Sequence, residues 1–110
     1  MAGFLTTHVL DTSKGVPAAG LEILLFRVSG NAHQKIATAV TNSDGRTDTP
    51  ILSESDFETG EYELIFKCSD YLEDDSFLGD VPIRFTMSED SHYHVPLLLS
   101  PFGYSTYRGS

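Results

Sequence analysis

A two-residue rhythm restricts the fold more than any other feature of this chain. FLTTHVL (4–10), GLEILLFRV (20–28), KIATAVT (35–41), GEYELIFK (60–67), VPIRFTM (81–87) and HYHVPLLLS (92–100) are short, largely alternating runs, parted by Gly, Pro, Asp and Ser. Alternation puts neighbouring side chains on opposite faces of an extended strand, whereas a helix would repeat every 3.6 residues. Shorter runs around Arg46–Asp48 and in YSTYRG (104–109) complete eight expected strands. One helical turn is expected in SESDF or in SDYLEDD, where Ser69 could cap. Strands with one apolar face bury it by stacking sheet on sheet. The expectation is therefore all-β: an eight-stranded, two-sheet antiparallel sandwich with at most one short helix. The 110 residues suit a single domain, 1–110, without linker or internal repeat. That length buries enough apolar surface for a core without covalent staples.

Charge and cysteine content narrow the functional classes. Sixteen acids against seven bases give a formal charge of −9, which argues against nucleic acid and against anionic membrane surfaces as partners. No apolar run approaches the roughly 20 residues of a membrane helix. MAGFLTTHVLD lacks the basic-then-apolar layout of a secretory signal, so a cytoplasmic location is expected. The lone cysteine, Cys68, cannot pair internally and sits in a strand-like run, where such thiols are packed and inert.

The alternation also sorts the histidines. In HYHVPLLLS, Tyr93, Val95, Leu97 and Leu99 share one face, which reads as core; His92, His94, Pro96 and Leu98 share the other. In FLTTHVL, Leu5, Thr7 and Val9 oppose Phe4, Thr6, His8 and Leu10. His8 and His94 thus lie on outer faces that also carry leucine and proline. Such a face is expected to be an association surface with a polar site set into it. Pro96 lacks an N–H and needs a gap in pairing on one side. His33, in a hairpin loop, reads as solvated, and His92 as a residue of the site's rim.

The same residues carry a resemblance. LTTHVLDTSKGVPAAGLEILLF, TNSDGRTD and HYHVPLLLSPFGYSTYRGS resemble, in this order and over essentially the whole chain, the transthyretin-like proteins. Within them they are most similar to the branch that hydrolyses 5-hydroxyisourate, of which the terminal YRGS is a signature. The resemblance implies an eight-stranded sandwich with the first, fourth, seventh and eighth strands in one sheet. It implies a homotetramer, a dimer of dimers, with that sheet lining a channel, and no metal or other cofactor. Residue by residue, it implies that His8, Arg46 and His94 are catalytic. It adds Tyr107, Arg108, Gly109 and Ser110 as substrate-binding residues, with Ser110 also catalytic. In SFLGDVP the chain lacks the aromatic-aromatic-proline run that many members carry before the sixth strand.

These residue types suit hydrolysis of a cyclic amide. A base must take a proton from water and an acid must return one to the departing nitrogen, and histidine serves both near neutral pH. A guanidinium can stabilise the oxyanion. Tyr107 and Arg108, as neighbours in a strand, are expected on opposite faces, with Tyr107 lining the pocket. Two other classes share the residues: a zinc enzyme using His-x-His with a histidine across the sheet, and a small-ligand carrier of the same fold. DYLEDDS lacks the ligand alternation of a calcium loop and reads as a solvated face.

Overall fold

The computed structural model of the protein describes residues 3–109. Eight strands run in the order β1 (Phe4–Asp11), β2 (Val16–Pro17), β3 (Glu22–Ser29), β4 (Ala32–Val40), β5 (Gly60–Phe66), β6 (Val81–Met87), β7 (His92–Ser100) and β8 (Gly103–Thr106). They form two four-stranded sheets, β2-β1-β7-β8 and β4-β3-β5-β6. All pairings are antiparallel except β1 with β7, which is parallel. A 3-10 turn (Glu54–Asp56) and a four-residue helix, α1 (Cys68–Tyr71), are the helical elements among the described residues. The two-sheet sandwich is the fold that the alternation predicts.

The core lies between the sheets. β1 alternates buried and half-buried residues along its whole length, and Leu5 and Val9 are fully buried. From the opposite sheet come Ile23, Leu25, Leu64 and Phe66, and from β7 Leu97 and Leu99, all at 0% exposure. Burying each such side chain contributes about 1.5–3 kcal/mol. Tyr62 is also fully buried; its hydroxyl donates to Glu58 O (2.6 Å) and accepts from Arg27 Nη2 (2.6 Å). The ring is thus stabilised without an orphaned polar atom.

β1 and β7 position the histidine face. Their register sets Thr6 opposite His94 and His8 opposite Pro96. Thr7 points inward and donates to Val95 O (2.7 Å), which locks this register from the core side. Pro96 sits where β8 departs: β7–β8 pairing ends at Leu97 with Thr106, and the next contact is a single bridge of His94 to Gly109. In that gap Thr106 Oγ1 donates to Pro96 O (2.7 Å). The missing N–H of proline therefore costs no ladder bond.

Three local expectations are corrected. The fourth strand at Arg46–Asp48 is an isolated bridge of Arg46 to His8; the edge beside β1 is instead taken by the two-residue β2. The last strand stops at Thr106, short of the terminal tetrapeptide. Ser69 is not a cap. Lys67 holds that position, and the Ser69 hydroxyl donates to Asp80 Oδ1 (2.7 Å) from inside α1.

Candidate active site

The turn before Arg46 is built by Asn42. Its Oδ1 accepts from the N–H groups of Asp44 (2.9 Å) and Arg46 (3.2 Å), and its backbone O accepts from Gly45 N (2.9 Å). Gly45 closes the turn at φ +76°, pressed against β1, where Val9 N donates to Gly45 O (2.8 Å). Only glycine fits. A Cβ there would run into Val9 O and come within 3.3 Å of the His8 ring. The turn thereby aims the Asp44 carbonyl at His8, whose Nε2 lies 2.9 Å from it. A carbonyl only accepts, so His8 Nε2 carries the proton and Nδ1 holds the free lone pair.

His94 is held from two sides. Thr6 Oγ1 lies 2.8 Å from its Nδ1, and Gly109 N donates to its backbone O (2.7 Å). Gly109 packs so closely that a Cβ would stand 2.5 Å from His94 Cδ2. The same Thr6 hydroxyl lies 2.7 Å from His92 Nε2, and His92 stacks face to face on Phe4, with centroids 4.1 Å apart. Burial, then the charge of Arg46, then His92 and His8, push the His94 pKa below its ordinary value. The imidazole is thus neutral, and available as a base, over a wider pH range.

A cleft of about 410 Å³ opens over these groups, lined by Thr6, Arg46, Asp48, Pro50, His92 and His94 among others. That volume lies in the range of small-molecule sites. Its lining mixes polar and apolar surface and offers a guanidinium, hydroxyls and imidazoles, groups suited to a ligand rich in hydrogen-bond acceptors. Among the described residues, no three His, Cys, Asp or Glu side chains gather as a metal would require.

The expected site residues divide in space. Arg46 and His94 share the cleft, His8 adjoins it through the Arg46 bridge, and Gly109 seats His94. Tyr107 and Arg108 do not enter this cleft in one chain. They line a separate apolar groove of about 230 Å³ with Ile83, Phe85 and Tyr93. The Arg108 guanidinium lies 4.1 Å over the Tyr93 ring, a cation–π contact that pins the tail to the open end of the sandwich. Ser110 lies outside the described residues. Cys68 is fully buried and its thiol is pushed up to about 12, which removes it as a nucleophile. Thr6 and the Asp44 carbonyl were not singled out by sequence. The one available signal for Thr6 was its two-residue spacing from His8 on the same strand face.

Comparison with known proteins gives the family. Residues 5–109 match the HIUase/Transthyretin family. The chain belongs to that family. It is 56% identical to a 5-hydroxyisourate hydrolase of Mesorhizobium japonicum, over 98% of this chain and 93% of that one. Among solved structures it is similar to the 5-hydroxyisourate hydrolase of Klebsiella pneumoniae, with TM-score 0.83 and 35% identity over the whole of both chains. It is also similar to an (S)-allantoin synthase, with TM-score 0.88 and 43% identity over 98% of this chain; the match spans 44% of that longer chain.

Proposed function

We propose that the chain is an enzyme, a hydrolase that opens 5-hydroxyisourate to 2-oxo-4-hydroxy-4-carboxy-5-ureidoimidazoline in purine degradation. The observation that carries the reading is the meeting of His94 and Arg46 in one cleft with His8 bridged to Arg46. Kinship with proteins named for this hydrolysis supports it. In the reaction, His8 and His94 hold and deprotonate a water that adds to a ring carbonyl. Arg46 binds the oxyanion; collapse breaks the ring C–N bond, and the nitrogen leaves with a proton returned from imidazolium. The mechanism uses no metal, so activity should survive a chelator.

Tyr107 meets substrate, in this reading, from a second copy of the chain. A homotetramer built as a dimer of dimers brings it there, with the outer face of β2-β1-β7-β8 lining the channel. Arg108 secures the tail, and Ser110 supplies a hydroxyl to the substrate. Leu98, half-buried on that face, is then an interface residue, and Leu98→Arg should convert the tetramer to smaller species on gel filtration. A transthyretin-type carrier is the competing reading; it predicts binding without turnover.

The deciding experiment follows the ultraviolet absorbance of freshly generated 5-hydroxyisourate. Wild-type protein should accelerate decay far above the spontaneous rate. His8→Ala, Arg46→Ala and His94→Ala should each remove most of that acceleration while remaining folded. Wild-type protein that leaves the spontaneous rate unchanged refutes the assignment.

A further inference from the structure

We propose that Thr6 couples His94 to His92, so that the proton His94 takes from the attacking water passes through the Thr6 hydroxyl to His92 at the rim of the cleft. The inference rests on the hydrolase reading above and deepens it by naming the base and the proton's exit. It starts from a difference between the two catalytic imidazoles. The second nitrogen of His8 faces the Asp44 carbonyl (2.9 Å), which accepts a hydrogen bond but cannot pass a proton on. The second nitrogen of His94 faces a hydroxyl (2.8 Å), and that hydroxyl reaches another imidazole nitrogen at 2.7 Å. Only His94 has an outlet.

The protons balance. At rest His94 Nδ1–H donates to Thr6 Oγ1, and the Thr6 hydroxyl donates to His92 Nε2. His94 Nε2 gains the water proton as the water O–H bond breaks. Nδ1–H then moves to Thr6 as the Thr6 proton moves to His92. The result is neutral His94 protonated at Nε2, an intact hydroxyl, and a His92 imidazolium. Reversing the same steps restores imidazolium at His94, which delivers its Nε2 proton to the departing nitrogen. His92 is the better place for the charge in between. It is exposed to water and its ring lies flat on Phe4, whose π-face favours a cation. His94 is half-buried beside Arg46 and His8, where a positive charge is disfavoured. Among the described residues, the other charged group bordering the cleft is Asp48; Asp90 precedes β7 and accepts from Gly3 N–H; Arg108 faces Tyr93 on the opposite side.

Three variants and one spectrum test this. Thr6→Val keeps shape and strand preference but removes the hydroxyl; Thr6→Ser restores it; His92→Asn removes the imidazole. We expect Thr6→Val and His92→Asn each to lower kcat at least tenfold with KM nearly unchanged, the double variant to lose no more than either alone, and Thr6→Ser to approach wild type. Unfolding midpoints check that each variant folds. Histidine ¹⁵N spectra of substrate-free protein should find His94 protonated at Nδ1 and His92 bare at Nε2. Thr6→Val at the wild-type rate, or His94 protonated at Nε2 in the neutral protein, overturns the relay while hydrolysis stands. Wild-type protein without hydrolysis overturns the functional reading and with it the relay's use in turnover; the spectra then still decide whether the two rings share one proton path.

Discussion

Adding one methyl group at Gly109 should silence the site without unfolding the sandwich. A Cβ there would lie 2.5 Å from His94 Cδ2 and 3.2 and 3.3 Å from Cγ and Cβ of the same residue. Carbon atoms settle at about 3.5–4 Å, so ring and tail must part by about 1 Å. If the ring retreats, its 2.8 Å bond to Thr6 stretches beyond useful range. If the tail lifts, the 2.7 Å bond from Gly109 N to His94 O is lost. Either route removes one hydrogen bond, about 1 kcal/mol, which for a chain of this size lowers the thermal midpoint by about 5 °C. Catalysis suffers more, because about 1 Å of misplacement costs about 100-fold in rate. Gly109→Ala should therefore combine a small loss in a thermal melt with about 100-fold slower decay of 5-hydroxyisourate. A variant that turns over within twofold of wild type would show that the tail does not fix the His94 ring.

Two further outcomes follow from the same geometry. Gly45→Ala should cost about 2–4 kcal/mol, since alanine at φ +76° is strained by about 1–2 kcal/mol and its methyl group also meets Val9 O; denaturant titration should find the midpoint lowered with unchanged slope. Arg46→Ala should raise the His94 titration point toward the ordinary histidine value. Burial depresses it most, Arg46 is the next cause, and removing a nearby cation makes imidazolium easier to form, so NMR titration should move to higher pH and never lower.

Much of this arrangement was legible in the residues because β-structure writes itself in alternation. β6 and β7 fall at the boundaries read from the sequence, and the core face of β7 is the one its pattern marks. The misses share a cause. Val16–Pro17 is too short to show any period and is a strand only because β1 offers it a partner. Arg46–Asp48 has the composition of a strand after a turn, but tertiary contact supplies a single bridge to His8 there. Thr6 reads as an ordinary strand former; its importance depends on register, which puts it opposite His94 and which no local pattern states. Strand alternation puts Tyr107 and Arg108 on opposite faces, but both line one groove, because β8 ends at Thr106 and that rule no longer applies beyond it.

The contact between Thr6 and His94 joins residues 88 positions apart. Closing so long a loop is among the most entropically demanding steps available to this chain, and parallel pairing of distant strands is slow to form. No fragment or half-assembled intermediate can therefore possess the cleft. Enzymatic turnover regained during refolding would act as a clock for the final docking of the first strand onto the seventh, and should lag behind any optical signal that reports hairpins alone.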